Sequence, residues 1–93
     1  MSVLNDRKEK NMKINLIDEH INEMKEIIAS GDADKANKVQ NIIIGVYRHE
    51  IDGLTDGLSK YSDLNILKDS YKYDYIGDLE LLTAKLENYK ANL

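Results

Sequence analysis

Two histidines are the residues whose types and spacing come nearest to chemistry in this chain. His20 sits among Glu19 and Glu23, and His49 among Glu50, Asp52 and Asp56. Imidazole and carboxylate groups at helical spacing are the raw material of a metal site. A joint site fails on geometry. In a helical hairpin turning at Gly31–Asp32, His20 lies opposite residue 43, and His49 falls about six residues, or ~9 Å at 1.5 Å per residue, further along. The Glu-x-x-His pairing of di-iron bundles is also missing, so no metal and no cofactor is expected. The chain has no cysteine, which removes thiolate chemistry, disulfides and Cys-type zinc sites. There is no Gly-x-Ser-x-Gly elbow, phosphate loop or dinucleotide glycine pattern. Carboxylate pairs such as Asp52 and Asp56 are what a solvated helix face ordinarily carries. The expectation is a protein without catalytic residues.

Two groups of residues suit contact rather than catalysis. Gly45, His49, Gly53 and Gly57 recur every four residues. On one continuous helix they would share a face on which small residues admit a close backbone. That face would receive a second copy, a target protein or another helix of the same chain. Tyr71, Tyr73 and Tyr75 cluster with Asp74 and Asp78. On a helix Tyr71 and Tyr75 share a face while Tyr73 points elsewhere, so at least one is expected at the surface. Exposed tyrosine offers rigid contact area and a hydroxyl, and Leu81 extends the patch. The expected partner-binding residues are Tyr71, Tyr73, Asp74, Asp78, Gly53, Gly57 and His49.

These residues need helices to position them. The first helix is expected to start near Asn5 or Asn11 and run to Ser30, with residues 1–10 fraying. Ile14, Ile17, Ile21, Met24 and Ile28 form its apolar stripe, flanked by Leu16, His20 and Ile27. Gly31 suits a left-handed position after the helix, and Asp32 suits the cap of the next. Residues 32–61 hold no proline and carry helical apolar spacing through Ala36, Val39, Ile43, Tyr47, Ile51, Leu54, Leu58 and Tyr61. Ile42, Ile43, Ile44, Val46 and Tyr47 cover more than half the circumference. This predicts a central second helix covered on two flanks, with Ile42, Ile44 and Val46 out of solvent. Gly53 and Gly57 each weaken such a helix by roughly 1 kcal/mol, and a bend or an early end at Gly53 stays open. Ser62 to Ser70 reads as a connector with a short helical turn anchored by Leu64, Ile66 and Leu67. Tyr75, Leu79, Leu82, Leu86, Tyr89 and Leu93 then make the most regular stripe of the chain. The fold class expected is all-α: a small antiparallel three-helix bundle of two long helices and a C-terminal helix, in one domain over residues 1–93.

Seventeen acidic and thirteen basic residues give a net charge of −4, spread evenly. No basic stripe is present to neutralise phosphates, which argues against direct nucleic-acid binding. No apolar run approaches the roughly 18–20 residues of a membrane span, and the charged N-terminus lacks the apolar centre of a signal peptide. A cytoplasmic protein is expected. Lys, Asn, Ile and Tyr, whose codons are AT-rich, supply 37 of the 93 residues, which suggests a low-GC bacterium or its phage.

The run Glu50-Ile51-Asp52-Gly53-Leu54, followed by Tyr61 and preceded by Gly31 between two helices, resembles the motif of the small aspartyl-phosphate phosphatases of sporulating bacteria. The resemblance covers a handful of residues and implies a regulatory phosphatase in which Asp52 is the residue that matters. The chain departs from that pattern. Arg48 stands where the family carries a serine four residues before its key aspartate, the second helix is much longer before the motif, and a third helix is added. The leading expectation is therefore a small helical protein-binding module, of the kind that phages and mobile elements use to inhibit or redirect a host or defence protein. Its partner is a protein, and wide apolar arcs leave room for a homo-oligomer. A bacteriocin-type immunity protein is the alternative, and the regulatory phosphatase the third reading.

Overall fold

The architecture follows from where helices can be stopped. In the computed structural model, which describes residues 3–61 and 73–93, three α-helices and one 3-10 turn are present: α1 (Val3–Ser30), α2 (Ala33–Tyr47), the turn Ser59–Tyr61, and α3 (Tyr75–Ala91). No strand occurs among the described residues, and the helices pack on one another as a small all-α bundle. Tyr71 and the connector Ser62–Ser70 lie outside the described residues.

The first stop is local. Gly31 takes φ +71°, and its N–H donates back to Ile27 O at 2.9 Å, closing α1 as a left-handed cap does. Asp32 then accepts from Lys35 N at 3.1 Å, while Asp34 sits in the first turn of α2, where a negative charge favours the helix dipole. Two residues thus reverse the chain, and α1 and α2 become antiparallel neighbours.

The second stop corrects the sequence reading. α2 ends at Tyr47, well before Gly53, and is 15 residues long rather than 30. Glu50 N and Ile51 N both donate to Tyr47 O, after which the chain bends across the end of the bundle. Gly53 (φ +70°) and Gly57 (φ +83°) supply the left-handed turns. The bend buries Leu54 and Leu58, which a continuing helix would have carried past the end of the core. Its exposed carbonyls find a cation: Lys85 Nζ donates to the carbonyls of Gly53 (2.7 Å), Leu54 (3.0 Å) and Asp56 (2.6 Å).

The core is built from Ile17, Ile21, Met24 and Ile27 of α1, Ala36, Val39, Ile43, Ile44 and Tyr47 of α2, and Leu79, Leu82 and Leu86 of α3. The α3 stripe packs as its spacing predicts. The central element, however, is α3, which touches α1, α2 and the 3-10 turn. α2 is covered on only part of its surface. Ile44 is buried, but Ile42 is 54% and Val46 44% exposed, so the expectation that α2 is covered on both flanks is overturned. The chain after Tyr47 turns toward α3, where Lys85 holds it, instead of continuing along the line of α2. α1 is the longest element, at 28 residues or about 42 Å. Its first fully buried residue is Ile17, and the described side chains from Arg7 to Met12 are all exposed. The N-terminal turns therefore extend past the core, consistent with overall extents of 55 × 26 × 18 Å.

Candidate functional site

The residues expected to contact a partner are placed in three different ways. Asp78 is only 4% exposed. Its carboxylate accepts from Ser59 N (2.6 Å), Ser59 Oγ (2.8 Å) and Lys60 N (3.2 Å), so it fastens the 3-10 turn to α3 and is not a surface group. Asp74 caps α3 by accepting from Gly77 N at 2.9 Å, and its own N–H donates to Ser59 Oγ at 3.0 Å. A side chain at position 77 would meet the Asp74 carboxylate at 2.3 Å, which explains why glycine follows that cap. Tyr73 is half-buried against Tyr75, ring centroids 5.7 Å apart. Gly53 and Gly57 form no helix face with Gly45 and His49, because α2 has ended. They are turn residues, and a Cβ at Gly57 would sit 3.1 Å from Leu81. His49 is exposed in the turn directly after α2, and Gly53, Gly57 and Asp74 are exposed as well.

His20 and His49 are not brought together. His20 Nδ1 forms a hydrogen bond with the Tyr47 hydroxyl at 2.7 Å, and the rings meet edge to face at 5.4 Å. A buried phenol needs such a partner, and burial pushes the Tyr47 hydroxyl up to about 12. Tyr89 lies next to it and donates to Glu50 at 2.8 Å, while Lys13 Nζ pairs with the same carboxylate at 3.1 Å. The Tyr89 hydroxyl first and the Lys13 ammonium second hold Glu50 below its ordinary value. The Tyr89 hydroxyl, then Glu50, hold Lys13 above its own. This network ties α1, α3 and the turn after α2 together at one end of the bundle. Each polar group in it is engaged by another, which is how a structural clasp is built. No cluster of three or more His, Asp or Glu capable of holding a metal ion occurs among the described residues.

A surface that sequence reasoning did not select lies on the outer side of the α1–α2 seam. The His20–Tyr47 bond marks the flank of α1 that faces α2. Leu16 and Met12 continue that flank outward, one and two turns before His20, at 46% and 63% exposure. On α2, Gln40 reaches Tyr75 of α3 and Asn37 and Asn41 reach Lys60. Ile42 and Val46 therefore occupy the opposite flank, beside α1. Leu16 and Tyr47 are equally distant from the Gly31–Asp32 turn, so Leu16 and Val46 stand at the same height. Met12, Lys13, Asn15, Leu16, Glu19 and Glu50 line an open cleft of about 610 Å³ on the α1 side of this surface. Four large apolar side chains thus border one seam without cover. The signal was present in the sequence as Leu16 beside the main α1 stripe and Ile42 and Val46 beside the α2 stripe. The wide arcs imply both neighbours within the chain and room for uncovered surface, but periodicity alone does not say which residues stay bare.

No family model matches the chain, and no curated protein and no solved structure matches it.

Proposed function

We propose that this protein is a non-enzymatic binding module that works by laying the outer α1–α2 face on another protein surface. The observation that carries the reading is the grouping of Met12, Leu16, Ile42 and Val46 around one seam. Grouped apolar exposure of this kind is a feature of interaction sites, whereas single exposed apolar residues are unremarkable. The polar residues that would serve catalysis support the same reading, because His20, Tyr47, Glu50 and Tyr89 are spent on one another. The AT-rich residue usage and small acidic helical chain fit a phage or mobile-element protein that inhibits or modulates a host or defence protein in the cytoplasm.

The test is affinity capture from a low-GC bacterial lysate with the natural chain and with Leu16→Glu plus Val46→Glu. The expected result is a partner retained by the natural chain and lost by the variant while its helical circular dichroism is unchanged. Equal capture of the same partner by both proteins would remove this face from the function.

A further inference from the structure

The bend after α2 holds the same short sequence twice. Ile51-Asp52-Gly53-Leu54 is followed directly by Thr55-Asp56-Gly57-Leu58, and no other aspartate and no asparagine of the chain precedes a glycine. At an Asp-Gly junction the glycine nitrogen can attack the aspartate carboxyl, because no Cβ bars its approach. Asp52, Gly53, Asp56 and Gly57 are all exposed. Neither glycine N–H donates a hydrogen bond among the described residues, so both nitrogens are open to reaction. The neighbours along the chain are nearly the same, and only the tertiary setting separates the two junctions. Both backbone groups of Asp56 are engaged: its N–H donates to Gly53 O at 3.0 Å, and its carbonyl accepts from Lys85 Nζ at 2.6 Å. Its carboxylate leans back over Gly53, where an added Cβ would meet Asp56 Oδ2 at 2.8 Å. Asp52 makes no hydrogen bond or ion pair among the described residues. With Gly53 it borders an open cleft of about 280 Å³ beside Lys85 and Tyr89, which admits water. We propose that Asp52–Gly53 is a self-modification site, where the chain isomerises to isoaspartate through a cyclic imide, while Lys85 protects Asp56–Gly57.

The reaction balances with water as its only co-reactant. Gly53 N bonds to Asp52 Cγ, and the nitrogen's proton leaves with the hydroxyl of the carboxyl, in its acid form, as one water. The five-membered imide then takes up one water. Opening at Cγ restores aspartate. Opening at the backbone carbonyl carbon leaves the main chain running through Cβ and Cγ, with the former backbone carboxyl as the side group. Nothing is oxidised or reduced, and the mass is unchanged. The main chain gains one bond of about 1.5 Å just before Gly53. The carbonyls of Gly53, Leu54 and Asp56 are set around one ammonium at 2.7, 3.0 and 2.6 Å, and hydrogen bonds weaken steeply once their geometry is lost. The inserted methylene therefore opens the Lys85 cage and loosens the bend that buries Leu54 and Leu58. A slow covalent change at the surface is converted there into the loss of a tertiary contact.

The test is prolonged incubation of the folded natural chain in warm, mildly acidic buffer. Proteolysis, chromatography of the peptides and electron-transfer fragmentation then separate isoaspartate from aspartate at each position. Isoaspartate is expected at Asp52, preceded by a species one water lighter. Accumulation at Asp56 is expected to be slower by about fivefold, the factor that opening one ordinary hydrogen bond imposes. In urea the near-identical sequences should bring the two rates together. Lys85→Met should raise the folded-state rate at Asp56 toward that at Asp52. Should that variant lose its helical circular dichroism, the comparison of folded and urea-unfolded natural chain decides without it. Asp52→Glu, whose longer side chain closes a less favoured six-membered ring, should stop the modification at that position. Absence of isoaspartate at Asp52 in the folded chain, or equal rates at the two junctions while folded, would overturn the proposal.

Discussion

The start of α3 and the outer face of α1–α2 answer the same question in opposite ways. From the sequence, the first region is expected to leave side chains for a partner and the second to have Ile42 and Val46 covered. At the start of α3, Asp74 and Asp78 are consumed by backbone N–H groups of Gly77, Ser59 and Lys60. On the α1–α2 face, Met12, Leu16, Ile42 and Val46 have no such claim on them within the described residues. Polar groups have local backbone donors to satisfy, and a folding chain uses whichever carboxylate is near. An apolar side chain finds cover only if an element is long enough to reach it, and α2 stops too early for that.

This contrast is sharpest at Asp78. Asp78→Ala removes the acceptor of three hydrogen bonds and leaves two N–H groups at the turn without it, so a loss of about 3 kcal/mol is expected in urea unfolding. An unchanged midpoint would mean that the turn is held by something else. Lys85→Met should follow at about 2 kcal/mol, because three carbonyls of the bend lose their ammonium donor. Norleucine-like packing by Met keeps the stem, so the loss isolates the charge.

Tyr47 gives a pH signature. Its folded-state hydroxyl is pushed up to about 12 from an ordinary value of 10.0, so the folded state holds the proton more tightly. The corresponding stability is fully present below pH 10 and is lost as pH rises toward 12. Tyr47→Phe should flatten the alkaline end of the stability profile, at a cost of about 1 kcal/mol near neutral pH from the lost His20 bond. Glu50 works at the other end with the opposite sign. Its value is lowered, so its contribution is present above the ordinary glutamate range and fades as the solution is acidified through its folded value. The smallest stability effect is expected on the other side of the comparison. Leu16→Glu plus Val46→Glu should change unfolding by less than about 1 kcal/mol, as surface substitutions do, while abolishing association. A large destabilisation there would show that the face is part of the core.

Much of the fold was legible. The Ser30-Gly31-Asp32 punctuation, the α1 stripe and the α3 stripe all correspond to what the chain does, because caps and helical periodicity are local. The end of α2 was not legible. The apolar spacing through Ile51, Leu54 and Leu58 is the same for a helix and for a bend that folds those residues under the core. What separates the two is Lys85, 32 residues beyond Gly53, and no local pattern announces it. The contact residues shared that fate: Asp78 reads as a solvated acid until Ser59 is seen against it.

By itself the sequence determined the helical class, the hairpin reversal at Gly31–Asp32, and the leucine stripe around which α3 packs, since each depends on residues within one or two turns of one another. Tertiary structure decided which helix is central, where α2 ends and which apolar residues remain uncovered. Those outcomes turn on contacts between residues far apart in the chain, where burial of one side chain and exposure of another are settled together.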